Sequence, residues 1–261
     1  MGVFDSGVGG LTVIKEIMRQ LPNEDFIYLA DTAHLPYGGR TAEEIIQFNN
    51  EIIPFLIGRG AKLIIMACGT SSALAYPAVK DKYKAQIISL IEPGSSAALA
   101  GAFGRRIGVI ATIGTINSKA YPEKIKALDP KTEVFSQACP LFVPLIEGGF
   151  TETEETKKVA AEYLKPLLKE KIDTLILGCT HYPHLSKIIR EIVGPSVRLI
   201  DPAESAVEEA KRLLQKAHTI KKNNPHPKYE YFVTGSVPQF VEIGSRLLGK
   251  PINGAKKVTL S

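Results

Sequence analysis

Short apolar runs alternate with longer amphipathic stretches along the whole chain, and this alternation constrains the fold more than any other feature. Residues 2–4, 26–30, 63–67, 87–91, 107–111, 174–177, 197–200 and 229–233 have the length and apolar content of strands. Between them, 11–20, 42–57, 72–83, 152–169, 185–193 and 205–215 carry apolar residues three and four apart, with Lys, Arg and Glu on the other face. Such alternation predicts an α/β fold with mostly parallel sheets flanked by helices.

Two stretches have echoes. Gly2-Val-Phe-Asp-Ser-Gly7 is matched by Gly108-Val-Ile-Ala-Thr-Ile-Gly114, and Leu63-Ile-Ile-Met-Ala-Cys-Gly-Thr70 by Leu175-Ile-Leu-Gly-Cys-Thr180. The echo is too short to count as a sequence repeat, but two related α/β modules facing one another would produce it. We therefore expect two pseudo-symmetric domains, residues 1–93 plus 207–261 and residues 94–206, with Ile91-Glu-Pro-Gly94 as a crossover and the functional site in the cleft between them. Residues 216–228, with Lys221-Lys222, paired Asn and two Pro, read as an exposed loop.

Composition narrows the function classes. At 261 residues and 44% hydrophobic content the chain can bury a substantial core. Its net charge of +5 is spread along the sequence, and no aromatic residues interleave with the lysines near 221, so nothing points to nucleic acid. A small anionic substrate fits the charge equally well. The first residues lack the basic and apolar regions of a signal peptide, and no apolar run approaches a membrane span, so a cytoplasmic protein is expected. Met1-Gly2 with Ser6 meets the loose myristoylation pattern, but burial of residues 2–4 as a strand conflicts with an acyl chain. Three cysteines, an odd number, argue against a disulfide framework and leave free thiols to explain.

In parallel α/β sheets, reactive groups gather at the carboxyl ends of strands, where Asp5, Asp31, Cys68, Cys179 and Asp201 all stand. Cys68 and Cys179 each end a strand before a Thr and a turn, unlike Cys139. Ser6-Gly-Val-Gly-Gly10 leads from a strand into a helix. Its glycines fit an anion site at the helix N-terminus or simply a tight turn. It lacks the Lys-Ser/Thr of a phosphate loop and the spacing of a dinucleotide site. In Cys179-Thr-His-Tyr-Pro-His184 an imidazole stands two residues from a thiol, where it can bring a group of pKa about 8.5 into use near neutral pH. A zinc site would need a second Cys/His pair at ligand spacing, and a cysteine protease would leave the second strand-end Cys idle. Inversion of a stereocentre does need two similar acid/base groups, one on each face.

At these residues the chain resembles the glutamate racemases, which supply D-glutamate for bacterial peptidoglycan. The resemblance runs from Val3-Phe-Asp-Ser-Gly-Val-Gly-Gly-Leu-Thr-Val13 to about Gly249. It includes Tyr28-Leu-Ala-Asp-Thr-Ala33, Pro36-Tyr-Gly38, Ala67-Cys68, Ala138-Cys-Pro-Leu-Phe-Val-Pro144 and Asp173-Thr-Leu-Ile-Leu-Gly-Cys-Thr-His-Tyr-Pro183. It implies Cys68 and Cys179 as catalytic thiols, Asp5 and His181 as their helpers and Glu147 near the site. It further implies Ser6, Tyr37, Gly38, Thr70 and Thr180 as holders of the substrate's carboxylates and ammonium group. It implies chemistry without pyridoxal phosphate or metal, two α/β domains, a homodimer whose arrangement differs among bacteria, and in some members a DNA gyrase partner.

Two positions depart from the family pattern. Cys-Asn-Thr is usual where this chain has Cys68-Gly69-Thr70, so Gly69 offers a backbone N–H but no side-chain amide to substrate, a loss on the order of 1–3 kcal/mol. Arg is usual where His34 stands, at the expected rim. The first departure leaves two alternatives to test: a racemase for aspartate or another amino acid, and a low-activity homologue acting as a binding or regulatory protein.

Overall fold

The computed structural model describes residues 1–260. Among the described residues ten strands form, β1 Gly2–Asp5, β2 Phe26–Ala30, β3 Leu63–Met66, β4 Gln86–Ile88, β5 Arg106–Ala111, β6 Glu133–Ala138, β7 Thr174–Leu177, β8 Arg198–Ile200, β9 Tyr229–Val233 and β10 Lys256–Lys257. The helices are α1 Leu11–Gln20, α2 Ala42–Gly58, α3 Gly69–Leu74, α4 Tyr76–Val79, α5 Ile91–Gly101, α6 Ile113–Asn117, α7 Ala120–Leu128, α8 Phe142–Glu147, α9 Glu154–Lys169, α10 Ser186–Val193, α11 Pro202–Lys216 and α12 Val237–Leu248.

The strands make two parallel sheets. One has the order β10-β9-β2-β1-β3-β4, the other β6-β5-β7-β8. Within them β2-β1-β3-β4 and β6-β5-β7-β8 repeat the same order, so the sequence echo is a topological one: β1 corresponds to β5 and β3 to β7. Each sheet is the spine of a lobe, and α5 and α11, which carry the chain between lobes, pack against each other. β1, β3 and β7 are apolar at almost every position and buried throughout, as strands covered on both faces must be. α1 directs Leu11, Val13, Ile14 and Ile17 inward, and α2 starts at a capping box in which Thr41 and Glu44 satisfy one another's backbone N–H groups. One apolar cluster runs through both lobes, from Val3 and Ile65 to Ile110 and Leu177. Among the described residues no helix is long and apolar enough to cross a membrane.

Three sequence expectations are corrected. The helix over 72–83 is broken at Ala75 into α3 and α4, because Pro77 lacks the N–H to continue the ladder. The strand over 87–91 stops at Ile88, and Ile91-Glu-Pro-Gly94, read as the crossover, forms the first turn of α5, where a proline is tolerated. β6 went unanticipated, so Cys139 also follows a strand, contrary to its contrast with Cys68 and Cys179.

Ile65 is fully buried in β3, between β1 and β4. Ile65→Ala should therefore destabilise the protein by about 2–5 kcal/mol in equilibrium urea unfolding.

Candidate active site

Parallel order places the carboxyl ends of β1, β3, β5 and β7 along one cleft. From the first lobe come Asp5 at the end of β1 and Cys68 just past β3, the latter as the residue that caps α3. Cys68 Sγ lies 3.9 Å from Ser6 Oγ, and Ser6 donates to Asp5 Oδ1 at 2.9 Å. Burial, and after it the Asp5 carboxylate, push the Cys68 thiol up to about 12, so it rests protonated at neutral pH.

The second lobe offers a different environment to Cys179. Its Sγ lies 3.8 Å from His181 Nδ1, and His181 Nε2 lies 3.0 Å from Glu147 Oε1, at the end of α8. Burial works against a charged imidazole, but the bonds to Cys179 and Glu147 outweigh it and hold His181 up to about 10. The ring is thus a cation at neutral pH, and it stands against the Cys179 sulfur.

Side chains bridge the lobes directly. Thr180 donates to Asp5 Oδ2 at 2.9 Å, Thr12 of α1 donates to the Thr180 carbonyl at 2.7 Å, and the hydroxyls of Thr70 and Thr112 are 3.0 Å apart. The glycine-rich turn after β1 fits because Gly9 has no Cβ: one there would stand 2.4 Å from His181 Nδ1 and 2.6 Å from Thr180 Oγ1. With the lobes this close both thiols are buried, Cys68 at 5% exposure and Cys179 at 7%. A cavity of about 1200 Å³ lies elsewhere, over the crossover helices, lined among others by Arg19, Glu92, Glu208 and Arg212. Among the described residues no cluster of His, Cys, Asp and Glu could hold a metal ion.

Of the residues read from the sequence, Asp5, Ser6, Cys68, Gly69, Thr70, Glu147, Cys179, Thr180 and His181 fall within this contact network. Gly38 borders it, facing the Thr112 side chain. Tyr37 is buried with its hydroxyl given to Asp31 Oδ2 at 2.5 Å, and Thr234 donates to Oδ1 of the same carboxylate. His34 stacks on Phe48 and places Nδ1 2.9 Å from Asp31. Cys139 is fully buried beside the Gln137 carbonyl, 3.7 Å away, and its burial pushes the thiol up. Asp201 caps α11 through the Ala203 N–H, and burial raises its carboxyl to about 6. Thr12 and Thr112 were missed, although Thr112, in the echo of the first strand, occupies the strand-end position equivalent to Ser6.

Residues 5–210 match the Asp/Glu/Hydantoin racemase family. The glutamate racemase of Trichodesmium erythraeum is 48% identical over 250 residues, covering 95% of this chain and 91% of that protein. The chain belongs to the Asp/Glu/Hydantoin racemase family. Among solved structures, the glutamate racemase isoform RacE1 of Bacillus anthracis superimposes with a TM-score of 0.95 at 40% identity, covering 99% of this chain and 96% of that one. The glutamate racemase of Francisella tularensis in complex with D-glutamate gives 0.92 at 39% identity, with the same coverage.

Membership in this racemase family gives the His181–Glu147 pair a measurable consequence. The carboxylate favours the charged ring, so Glu147→Gln should lower the His181 pKa from about 10 toward its ordinary value. Imidazole proton resonances followed by NMR should begin to move well below pH 10 in the variant, while the wild-type ring stays charged through neutrality. Turnover at neutral pH should fall by about tenfold.

Proposed function

We propose that this chain interconverts L- and D-glutamate through a two-thiol proton exchange between Cys68 and Cys179, supplying D-glutamate for peptidoglycan. The observation that carries this reading is the pairing of two thiols at topologically equivalent strand ends, one from each lobe, in one buried cleft. A thiolate on one wall takes the Cα proton, leaving the electron pair on the substrate as a carbanion. The thiol on the opposite wall delivers its own proton to the other face, so the stereocentre inverts and the thiols exchange protonation states. Asp5 and His181 tune the two sulfurs. Ser6, Gly38, Thr70 and Thr180 supply hydroxyl and backbone groups to the substrate's ends, and the oriented donors stabilise the carbanion in a water-poor site. Tyr37 shapes the wall through Asp31.

Glutamate is favoured over aspartate or another amino acid because the relatives described above are named glutamate racemases, one of them holding D-glutamate. We place the working protein in the cytoplasm as a homodimer with no nucleic-acid or membrane partner. The domain division proposed is residues 1–93 plus 207–261 against residues 94–206, so that each domain carries one sheet and one of the two proposed catalytic thiols.

Without added cofactor, D- and L-glutamate should each racemise by circular dichroism, with solvent deuterium entering Cα. Cys68→Ser and Cys179→Ser should each lose at least about a hundredfold in turnover. Full activity in both variants would exclude the two-thiol mechanism, and turnover confined to aspartate in a panel of amino acids would exclude glutamate as the substrate.

A further inference from the structure

We propose that Gly69 is a positioning residue: with no side chain there, the Cys68 loop closes onto the Gly178 carbonyl and fixes the separation of the two thiols. The inference rests on the two-thiol reading and gives Gly69 a role other than substrate contact. A Cβ on Gly69 would stand 2.5 Å from the Gly178 oxygen, closer than real Cβ contacts come, and the obstacle is backbone. Neither backbone can retreat within its own lobe. Gly178 donates its N–H to the Ile110 carbonyl at 2.7 Å and is so tightly wedged that its own Cβ would meet Ile110 O at 2.9 Å and Tyr121 Cε2 at 3.1 Å. On the other side, Ala67 donates to the Phe4 carbonyl and Ser72 to that of Cys68, each at 2.8 Å. A side chain at 69 is therefore relieved only by moving the lobes apart, by about half an ångström or more.

That displacement reaches the chemistry directly, because Gly69 is next after Cys68 and Gly178 precedes Cys179 in the chain. The rest of the seam is built to the same closeness. Gly9 lies against His181 and Thr180, and a Cβ on Gly114 would stand 3.0 Å from the Gly38 carbonyl. An asparagine at 69 has no room in this arrangement, so the cleft closes further here than a side chain at that position permits.

The test compares Gly69→Ala and Gly69→Asn with wild type. In the ligand-free protein, iodoacetamide alkylation of Cys68 and Cys179, read separately by peptide mass spectrometry, should be severalfold faster in Gly69→Ala, with buried Cys139 unchanged as internal reference. The kcat for glutamate should fall about ten- to a hundredfold with KM little changed, as expected when reacting groups are moved apart by a fraction of an ångström. Gly69→Asn should fall further. Wild-type alkylation and kcat in Gly69→Ala, a rise in KM with kcat kept, or a Gly69→Asn enzyme faster than wild type would each overturn the proposal. If Gly69→Ala does not fold, Gly38→Ala, whose methyl would meet the Thr112 side chain at 3.2 Å, is a milder wedge in the same seam. Unchanged alkylation and kcat there would overturn it too. A wild-type protein inactive on glutamate would instead defeat the functional reading, while the alkylation comparison would still decide the role of Gly69.

Discussion

A carboxylate buried at 1% exposure, Asp5, joins the two lobes. Burying a charge is expensive unless its oxygens find donors, and Asp5 accepts from the Ser6 hydroxyl, the Gly7 N–H and the Thr180 hydroxyl. The first two come from its own turn. The third comes from the opposite lobe, so its hydrogen bonding is complete only when the cleft is closed. The cationic His181 completes the local charge balance from the same side as Thr180.

Topology makes the two halves alike, and side chains make them differ. Both thiols come after strands paired to the central strand of a 2-1-3-4 sheet, which gives them equivalent positions on facing walls. Cys68 has a carboxylate and a serine for neighbours, whereas Cys179 has an imidazolium backed by Glu147. The fold thus supplies like positions on facing walls, while the neighbouring side chains make the surroundings of the two sulfurs unlike.

The central strands and the strand-end residues were legible in the sequence because buried parallel strands are nearly pure apolar runs and their last residues point into the cleft. β6 was not, since Glu133-Val-Phe-Ser-Gln-Ala138 is a half-exposed edge strand whose polar residues dilute the signal. α5 was hidden by its Pro93-Gly94 and by a small-residue run without apolar periodicity. The contacts that close the cleft were the least legible. Thr12 with Thr180, Thr70 with Thr112 and Gly69 with Gly178 join positions far apart in the chain, and no local pattern announces a long-range pair. Gly69 stood out as a departure only through resemblance, which invited a reading as a lost amide. The close approach of the Gly178 carbonyl became visible only once the lobes were placed.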